Sequence, residues 1–368
     1  MVSSSNGDYD WAKEVKEIDE TKAGVKGLVD TGITNIPKIF VHPKTSFETH
    51  PPPPTPAHGS DLPTIDFQGL RSGGEGRRVV VEEIRKAAQE WGFFRIVNHS
   101  IPVETMDAML AAVKRFHELP HHEKAAFYTT DQRRSVKFNS NLPERENELG
   151  CWRDILSFLF YDDQLEPEEI PSACREQVQE YVKHVIQLRE VMAELLSEAL
   201  GLRSDYLSSM ECMKSEALAC LYYPKCPEPH KTFGNKSHSD TTFLTLLMQD
   251  TIGGLQILHD AQWVDVPPVR GALIANVGDL LQIISNDKFI SVEHRVVAQA
   301  VGPRISVASF FTPSRKAMAK AFGPIKELVS EESPAVYREV MFGEYIEFYK
   351  TKFQGSTSAL PHFKIQSL

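Results

Sequence analysis

Apolar and polar positions follow two different periods along the chain, and the change falls near residue 215. Between residues 62 and 200, apolar residues recur every three or four positions in three stretches, which predicts amphipathic helices at 77–92, 102–119 and 172–200. Short strands are predicted at PTIDF and FFRIVN, on either side of the first of these helices.

The second half of the chain consists of short β-branched and aromatic runs separated by turn residues. Many such runs in succession are typical of a β-sandwich or barrel. A final helix is predicted near residues 335–352, followed by a loosely ordered tail. The predicted strands are ALACLYY, FLTLLMQ, LQILH, QWVDV, ALIANV, LLQII, SVEHRVV and RISVASFF.

Residues 1–60 are predicted to form an extension in front of the compact part of the chain. The stretch from Trp11 to about Lys26 favours a helix, and GVKGLVDTGITNIPKIFVHP favours turns and short extended pieces. The proline-rich residues 50–60 are typical of an exposed, polyproline-like connector. The glycines of RSGGEGRR match no phosphate-binding fingerprint and predict a surface turn.

Charge and composition narrow the possible partners. The 368 residues carry 40 basic and 50 acidic side chains, and the net charge of −10 argues against nucleic acid or an anionic membrane surface as a partner. We find no signal peptide, transit peptide or stretch apolar enough to span a bilayer, so a cytoplasmic protein is expected. The five cysteines include no C-x-x-C pair and are expected to be reduced thiols. Nothing marks an interface, which favours a monomer acting on a small molecule.

One constellation of polar residues in the β-rich half predicts chemistry. His238 and Asp240 are two apart, so their side chains point the same way if the segment is extended, and His294 follows later in the chain. Two imidazoles and one carboxylate can cap one face of Fe(II) and leave the opposite face open for a bidentate 2-oxo acid and dioxygen. Arg304 and Ser306 can then hold the far carboxylate of that acid.

Each part of this constellation is a weak signal when it is taken alone. An isolated His-x-Asp or Arg-x-Ser occurs by chance, and a single histidine such as His294 is more often a hydrogen-bonded structural residue. The order and spacing of the five residues, with several strand-like runs between the two histidines, favour the iron site. Along the predicted strand RISVASFF, alternation places Arg304, Ser306, Ala308 and Phe310 on one face.

The same segments resemble those of plant Fe(II)/2-oxoglutarate-dependent dioxygenases, in the same order and over nearly the whole chain. WGFFRIVNHSIP is similar to the N-terminal signature of that family, with Ser100 where glycine is usual. The extension DETKAGVKGLVDTGITNIPKIFV resembles one branch, the ACC-oxidase homologues, which includes deacetoxyvindoline 4-hydroxylase. The other matching segments are LYYPKCPEP, HSDTTFLTLLMQD, GGLQI, NVGDLLQIISNDKFISVEHRV and PRISVASFF.

The resemblance implies a mainly β fold with flanking helices, built on a distorted double-stranded β-helix, or jelly roll. The expected parts are the extension and connector (1–60), an N-terminal α/β region (61–212), the Fe(II)/2-oxoglutarate jelly-roll domain (213–315), and a C-terminal helix and tail (316–368). Dioxygen is then the oxidant and ascorbate the reductant.

The resemblance also assigns roles to individual residues. It implies iron on His238, Asp240 and His294, and 2-oxoglutarate on Arg304, Ser306 and Tyr223. Leu221 stands where the family often has asparagine, so one amide contact near the co-substrate is missing. By family position, the wall of the substrate pocket is expected to include Phe138, Phe158, Ala219, Leu221, Phe243, Phe310 and Thr312.

These features predict a non-haem iron oxidoreductase that couples oxidative decarboxylation of 2-oxoglutarate to hydroxylation of a plant specialised metabolite. The apolar residues expected around the pocket favour a hydrophobic, ring-containing substrate such as an alkaloid, phenolic, indole or benzoxazinoid. O-demethylation, desaturation and ring closure stay open. Two alternatives remain: an ACC oxidase, which forms ethylene and uses ascorbate in place of 2-oxoglutarate, and a jelly-roll protein that binds a small molecule without catalysis.

Overall fold

The computed structural model describes residues 9–48, 62–352 except 141, 144, 146 and 147, and 358–365. The predicted proline-rich connector lies outside the described residues. The α-helices found in the described part are α1 (Trp11–Thr21), α2 (Gly24–Asp30), α3 (Thr45–Glu48), α4 (Gly73–Glu90), α5 (Val103–His117), α6 (His121–Ala125), α7 (Arg175–Ala199), α8 (Tyr206–Ser209), α9 (Asp279–Ile284), α10 (Phe342–Lys352) and α11 (Leu360–Phe363).

The strands of the described part follow the same chain order. They are β1 (Thr64–Asp66), β2 (Phe93–Val97), β3 (Val136–Asn139), β4 (Asp154–Phe160), β5 (Ser215–Tyr223), β6 (Phe233–His238), β7 (Leu244–Gln249), β8 (Leu255–His259), β9 (Gln262–Asp265), β10 (Leu273–Val277), β11 (His294–Val297), β12 (Arg304–Thr312), β13 (Ala321–Phe322) and β14 (Val340–Met341). Within the described residues, none of the helices combines the length and the apolar character that crossing a bilayer requires.

The fold is built on two main β-sheets. The larger sheet has eight strands in the order β1-β2-β10-β7-β12-β5-β4-β3, and only the β1–β2 pair is parallel. The smaller sheet has four antiparallel strands in the order β6-β11-β8-β9. Strands that are distant in sequence, such as β7 and β12, are therefore neighbours in space, and the chain crosses repeatedly between the two sheets.

The inner faces of the two sheets pack against each other. Ile274 and Ala308 of the larger sheet share an apolar cluster with Ile257 and Val296 of the smaller one. Because successive side chains of a strand point to opposite faces, the other face of the larger sheet is left for the helices. Helices α4, α5 and α7 cover that face and form the largest apolar cluster of the protein with it.

The long helix α7 shows why the sequence pattern was informative. Val178, Tyr181, Val185, Leu188 and Met192 recur at three or four residues and are all buried, so a single apolar stripe faces the sheet. The predicted range of 172–200 is therefore close to the observed helix, which begins at Arg175 and ends at Ala199.

Tertiary contacts decide the structure of the N-terminal extension. The segment GVKGLVD is helix α2 and not the turns expected from the sequence. The backbone N–H groups of Val25 and Lys26 donate to the buried carboxylate of Asp154, at 2.7 and 2.8 Å. These N–H groups lie in the first turn of the helix and have no acceptor within it, so Asp154 supplies one. This carboxylate is more than a hundred residues away in sequence, so local propensity gives no sign of it. The ring of Phe40 packs edge-on against Trp152 and anchors the extension a second time.

Three further expectations are corrected by packing. The glycines of RSGGEGRR do not form a surface turn; α4 begins at Gly73, and a Cβ at Gly76 would come within 2.2 Å of the Gly69 carbonyl oxygen. The run LLQII forms helix α9, not a strand; its leucines and isoleucines are all buried, so the sequence shows no period that would separate a helix from a strand. Residues 358–365 of the tail include helix α11, whose Phe363 packs against Tyr345 at 4.8 Å.

Candidate metal and co-substrate site

Two strands of the smaller sheet bring the predicted histidines together. His238 ends β6, His294 begins β11, and the two are direct partners in the antiparallel register. Their ring centroids are 4.2 Å apart. Asp240 follows two residues after His238, and one potential ligand atom from each of the three side chains lies within 4.8 Å of the others. Among the described residues, this is the group of histidine, cysteine and carboxylate side chains that could hold a metal ion.

The carboxylate of Asp240 is oriented by two polar side chains from the larger sheet. The Thr245 hydroxyl and the Asn276 amide each donate to its Oδ2 atom at 2.7 Å. The other oxygen, Oδ1, lies 3.6 Å from Nε2 of His238 and 3.6 Å from Nε2 of His294. One oxygen is therefore fixed by the protein, and the other faces the space between the imidazoles.

Backbone carbonyls fix the histidine rings. Nδ1 of His238 lies 2.9 Å from the carbonyl oxygen of Lys236, and Nδ1 of His294 lies 3.2 Å from that of Val292. A hydrogen on each Nδ1 leaves Nε2 with its lone pair directed toward Asp240. The Asn235 amide nitrogen lies 3.3 Å from Nε2 of His238.

Burial and neighbouring groups shift the pKa values of His238 and Asp240. Burial, followed by the proximity of His294, lowers the pKa of His238 to about 3, so that imidazole is neutral. Burial alone would raise the pKa of Asp240, but the imidazoles and the hydrogen bonds from Thr245 and Asn276 outweigh it and lower that pKa. A neutral imidazole beside an ionised carboxylate is the form in which both groups bind a metal.

Sequence reasoning missed the two residues that orient Asp240. Asn276 did carry a signal, because it is a lone amide within the otherwise apolar strand β10, and a polar group buried there needs a partner. Thr245 carried none, since threonine is common in strands and its hydroxyl could have faced either side.

Arg304 lies deep between the sheets and forms no salt bridge with any described residue. Its guanidinium donates to Ser306 Oγ at 3.1 Å and to Gln249 Oε1 at 3.0 Å, and it lies over the Tyr223 ring, 4.8 Å from the centroid. Its Nε atom is buried without a hydrogen-bond partner, and no salt bridge to it is found in the described part of the chain. The nearby carboxylate of Asp250 accepts instead from backbone N–H groups.

One cavity of about 510 Å³ contains both halves of the site. His238, Asp240 and His294 line it together with Tyr223 and with Arg304, Ser306, Ala308 and Phe310, the four residues expected to share a face of β12. Four of the residues expected around the substrate also line it, namely Ala219, Leu221, Phe310 and Thr312.

Three predicted wall residues lie elsewhere, and strand phase gives the reason. Phe138 and Phe158 are not among the described residues that line the cavity; they occupy the opposite face of the larger sheet, in the helix-covered core. Ile155 and Leu159 of β4 line the cavity. Because successive side chains of a strand point to opposite faces, Phe158 points away from it. Phe243 precedes β7 and packs on Phe322 at 5.0 Å in that same core.

The rim of the cavity contains residues that the sequence did not single out. Helix α10 contributes Phe342, Ile346, Tyr349 and Lys350, which are spaced at three or four residues along one helix face. Other unpredicted lining residues come from the segment around β4, from β5 and from the segment after β12, and they are Arg153, Ile155, Leu159, Tyr161, Ala217 and Met318.

Two imidazoles and one carboxylate around an open position, beside a buried arginine that no described residue pairs in a salt bridge, define a mononuclear non-haem iron site of the oxygenase type. Residues 214–313 match the model of the 2OG-Fe(II) oxygenase superfamily, and residues 62–180 match that of the "non-haem dioxygenase in morphine synthesis N-terminal" region. The chain belongs to the 2OG-Fe(II) oxygenase superfamily.

Similar proteins place the chain within that superfamily. It is 48% identical to 1-aminocyclopropane-1-carboxylate oxidase homolog 1 of Arabidopsis thaliana, with 95% of this chain and 96% of that protein covered. It is 44% identical to deacetoxyvindoline 4-hydroxylase of Catharanthus roseus, with 96% and 90% covered. The crystal structure of JOX2 in complex with 2OG, Fe and JA superposes with a TM-score of 0.79 at 28% identity, covering 93% of this chain and 98% of JOX2.

The family membership confirms several predictions made from the sequence. The protein is an oxidoreductase of the dioxygenase class with a double-stranded β-helix fold, and Fe(II) and 2-oxoglutarate are the cofactor and co-substrate of its family. The likeness to the ACC-oxidase homologues and to deacetoxyvindoline 4-hydroxylase is confirmed as well. The donor set of His238, Asp240 and His294 fits such an iron ion.

Proposed function

We propose that the protein hydroxylates a plant specialised metabolite and couples this reaction to the oxidative decarboxylation of 2-oxoglutarate. The observation that supports the proposal is a single cavity that holds the His238–Asp240–His294 group, the buried cation of Arg304 and a mostly apolar wall. When iron is bound, the chemistry that it supplies is activation of dioxygen: one oxygen atom enters a substrate C–H bond, and 2-oxoglutarate leaves as succinate and carbon dioxide.

The residues of the chain bind the metal and the co-substrate. His238, Asp240 and His294 would hold the metal, with the two Nε2 atoms and Oδ1 as the available donors. Arg304 binds the far carboxylate of 2-oxoglutarate, with the Ser306 hydroxyl as a second donor. Arg304 is only 2% exposed and forms no salt bridge with any described residue, so its guanidinium gains most from a ligand that brings a carboxylate.

Tyr223 has a supporting role in this proposal. Its ring lies against the guanidinium of Arg304 and restricts where that side chain can move. Leu221 gives no amide at the neighbouring inward position of β5, so the co-substrate depends on Arg304, Ser306 and the Tyr223 hydroxyl for its polar contacts.

The wall of the cavity supports an apolar substrate. Leu159, Ala219 and Phe310 carry no polar side-chain atoms, and the rim residues Phe342 and Ile346 of α10 extend this surface outward. Such a wall excludes water from the reacting C–H bond and contacts a ring or hydrocarbon body. Hydroxylation at a methoxy carbon would give O-demethylation from the same arrangement.

The metal assignment is tested on anaerobically purified protein. Wild-type chain is expected to bind one equivalent of Fe(II) and to form succinate from 2-oxoglutarate when it is given a plant metabolite extract, with product masses raised by about one oxygen atom. His294→Ala is expected to lose iron and turnover, whereas the exposed His230→Ala retains both. Iron binding that survives His294→Ala would refute the ligand assignment.

The anchor assignment is tested by the dependence on 2-oxoglutarate. Arg304→Ala is expected to raise the half-saturating concentration by about thirtyfold or more, because the co-substrate carboxylate loses a buried charged partner. Arg304→Lys is expected to recover part of this loss, since a point charge cannot form the bidentate fork. Turnover that needs ascorbate and forms no succinate would favour the ACC oxidase alternative instead.

A further inference from the structure

More positive than negative side chains line the cavity. Apart from Asp240, which belongs to the proposed metal group, the charged residues lining it in the described part of the chain are all cations: Arg153, Arg304 and Lys350. The proposed function uses Arg304 for 2-oxoglutarate. The proposed function therefore leaves two cations of the cavity, Arg153 and Lys350, without a role.

Arg153 is half-buried, and none of the described residues forms a salt bridge with it. It comes directly before β4, in phase with the inward-facing Ile155 and Leu159, and its side chain lines the cavity with them. Its Nε atom is buried without a hydrogen bond, and no ion pair of its guanidinium is found within the described residues. A buried donor without an acceptor is costly, so this position is suited to a ligand that supplies one.

The residues on both sides of Arg153 are fixed, which limits its side chain to the cavity. Trp152 is 1% exposed and packs against Phe40 of the N-terminal extension. Asp154 is fully buried and accepts hydrogen bonds from the first turn of α2 and from the Ser140 hydroxyl at 2.6 Å. Because neighbouring side chains alternate, Arg153 is directed inward while Asp154 holds the extension outside.

Lys350 adds a second positive charge at the rim. It lies on the cavity side of α10 and is exposed, and no ion pair of its ammonium group is found in the part of the chain that is described. Glu347 of the same helix is not among the described residues that line the cavity. The rim therefore presents positive charge to an incoming molecule.

We propose that the substrate is an amphipathic anion, a carboxylate attached to an apolar body, and that Arg153 binds the carboxylate. The inference rests on the proposed function, because it takes Arg304 as the co-substrate anchor. The apolar body lies between Leu159 and Phe310, and Lys350 attracts the anion at the rim. This narrows the substrate classes expected from the sequence, since a cationic alkaloid would bring its charge next to an unpaired guanidinium.

The experiment uses three probes with one apolar body and different charge: 3-phenylpropanoate, 3-phenylpropanamide and 3-phenylpropylamine. Full-length protein is loaded anaerobically with Fe(II) and 2-oxoglutarate, and probe binding is measured by calorimetry and by the shift in unfolding temperature. Loading is measured first, so a wild-type chain that binds neither iron nor 2-oxoglutarate refutes the proposed function before any probe is added.

Wild-type protein is expected to bind the acid about tenfold or more tightly than the amide, and the amine most weakly. Arg153→Met and Arg153→Gln are expected to lose the preference for the acid, while 2-oxoglutarate affinity changes by less than about twofold. The exposed Arg78→Met is the matched control and keeps the preference.

Three results would overturn the proposal. The first is an acid that binds no better than the amide or the amine, or that does not bind at all. The second is a preference for the acid that survives both Arg153 variants. The third is a loss of 2-oxoglutarate affinity in these variants with the probe preference intact, which would assign Arg153 to the co-substrate instead.

Discussion

A buried carboxylate outside the active site makes stability depend on pH in a way that can be calculated. Glu216 lies on β5, between Phe160 of β4 and Phe311 of β12, on the face covered by helix α7. Its side chain is 0% exposed, and neither carboxylate oxygen has a hydrogen bond of good geometry among the described residues. Burial raises the pKa of Glu216 from 4.5 to about 7, although the nearby Ser309 hydroxyl offsets part of the effect.

The sign follows from the protons bound in each state. Between pH 4.5 and about 7, folded Glu216 keeps a proton that the unfolded chain has lost. Raising the pH through this window therefore destabilises the folded state. A pKa that differs by about 2.5 units corresponds to about 3 kcal/mol, all of it lost by pH 8.

Glu216→Gln removes the ionisation and keeps the shape. At pH 4 the wild-type chain and the variant are expected to have similar free energies of unfolding in urea. At pH 8 the variant is expected to be more stable by about 3 kcal/mol. Other buried acids, such as Asp279, whose pKa burial raises to about 6, titrate in both proteins and cancel from the difference.

Glu90→Gln is the control for this measurement, because Glu90 is exposed. Replacing it is expected to change the free energy of unfolding little at either pH. A Glu216→Gln variant that gains nothing at pH 8, or that loses stability there, would show that the carboxylate is ionised and paired in the folded protein. The assignment of Glu216 as a protonated core residue would then be wrong.

Two further predictions concern buried hydrogen bonds. Asn276→Leu removes one of the two donors to Oδ2 of Asp240 and is expected to weaken Fe(II) binding by about 10–100-fold, measured by metal titration of the anaerobic protein. Asp154→Ala leaves the first N–H groups of α2 without an acceptor; it is expected to lower the free energy of unfolding by about 2 kcal/mol and to expose Lys22 and Lys26 to trypsin.

Each of these variants has a matched control. Asn35→Leu changes an exposed asparagine and should leave iron affinity unchanged. Asp30→Ala removes only the surface ion pair with Lys26 at the far end of α2 and should change stability by less than about 1 kcal/mol. Equal effects of Asp154→Ala and Asp30→Ala would mean that the capping contact does not hold the extension in place.

Local pattern was sufficient where one physical rule dominated. The apolar stripe of α7 is visible in the sequence because only one side of that helix meets the sheet. The order of His238, Asp240, His294 and Arg304 indicated the chemistry, since few sites need two imidazoles, one carboxylate and a distant guanidinium. The monomeric state, the domain boundaries and the cytoplasmic location stay predictions.

Alternation along a strand divides the side chains into two sets, but the sequence does not say which set faces which layer when both are apolar. The larger sheet is covered on both sides, so Phe158 and Leu159 were equally plausible wall residues. Only the packing of the two sheets against each other places Leu159 in the cavity wall and Phe158 in the helix-covered core. Long-range contacts determine other features. Asp154 accepts a hydrogen bond from the first turn of α2, and Asn276 donates to Oδ2 of Asp240, which leaves Oδ1 facing the histidines. These contacts join residues far apart in the chain, so no local period records them.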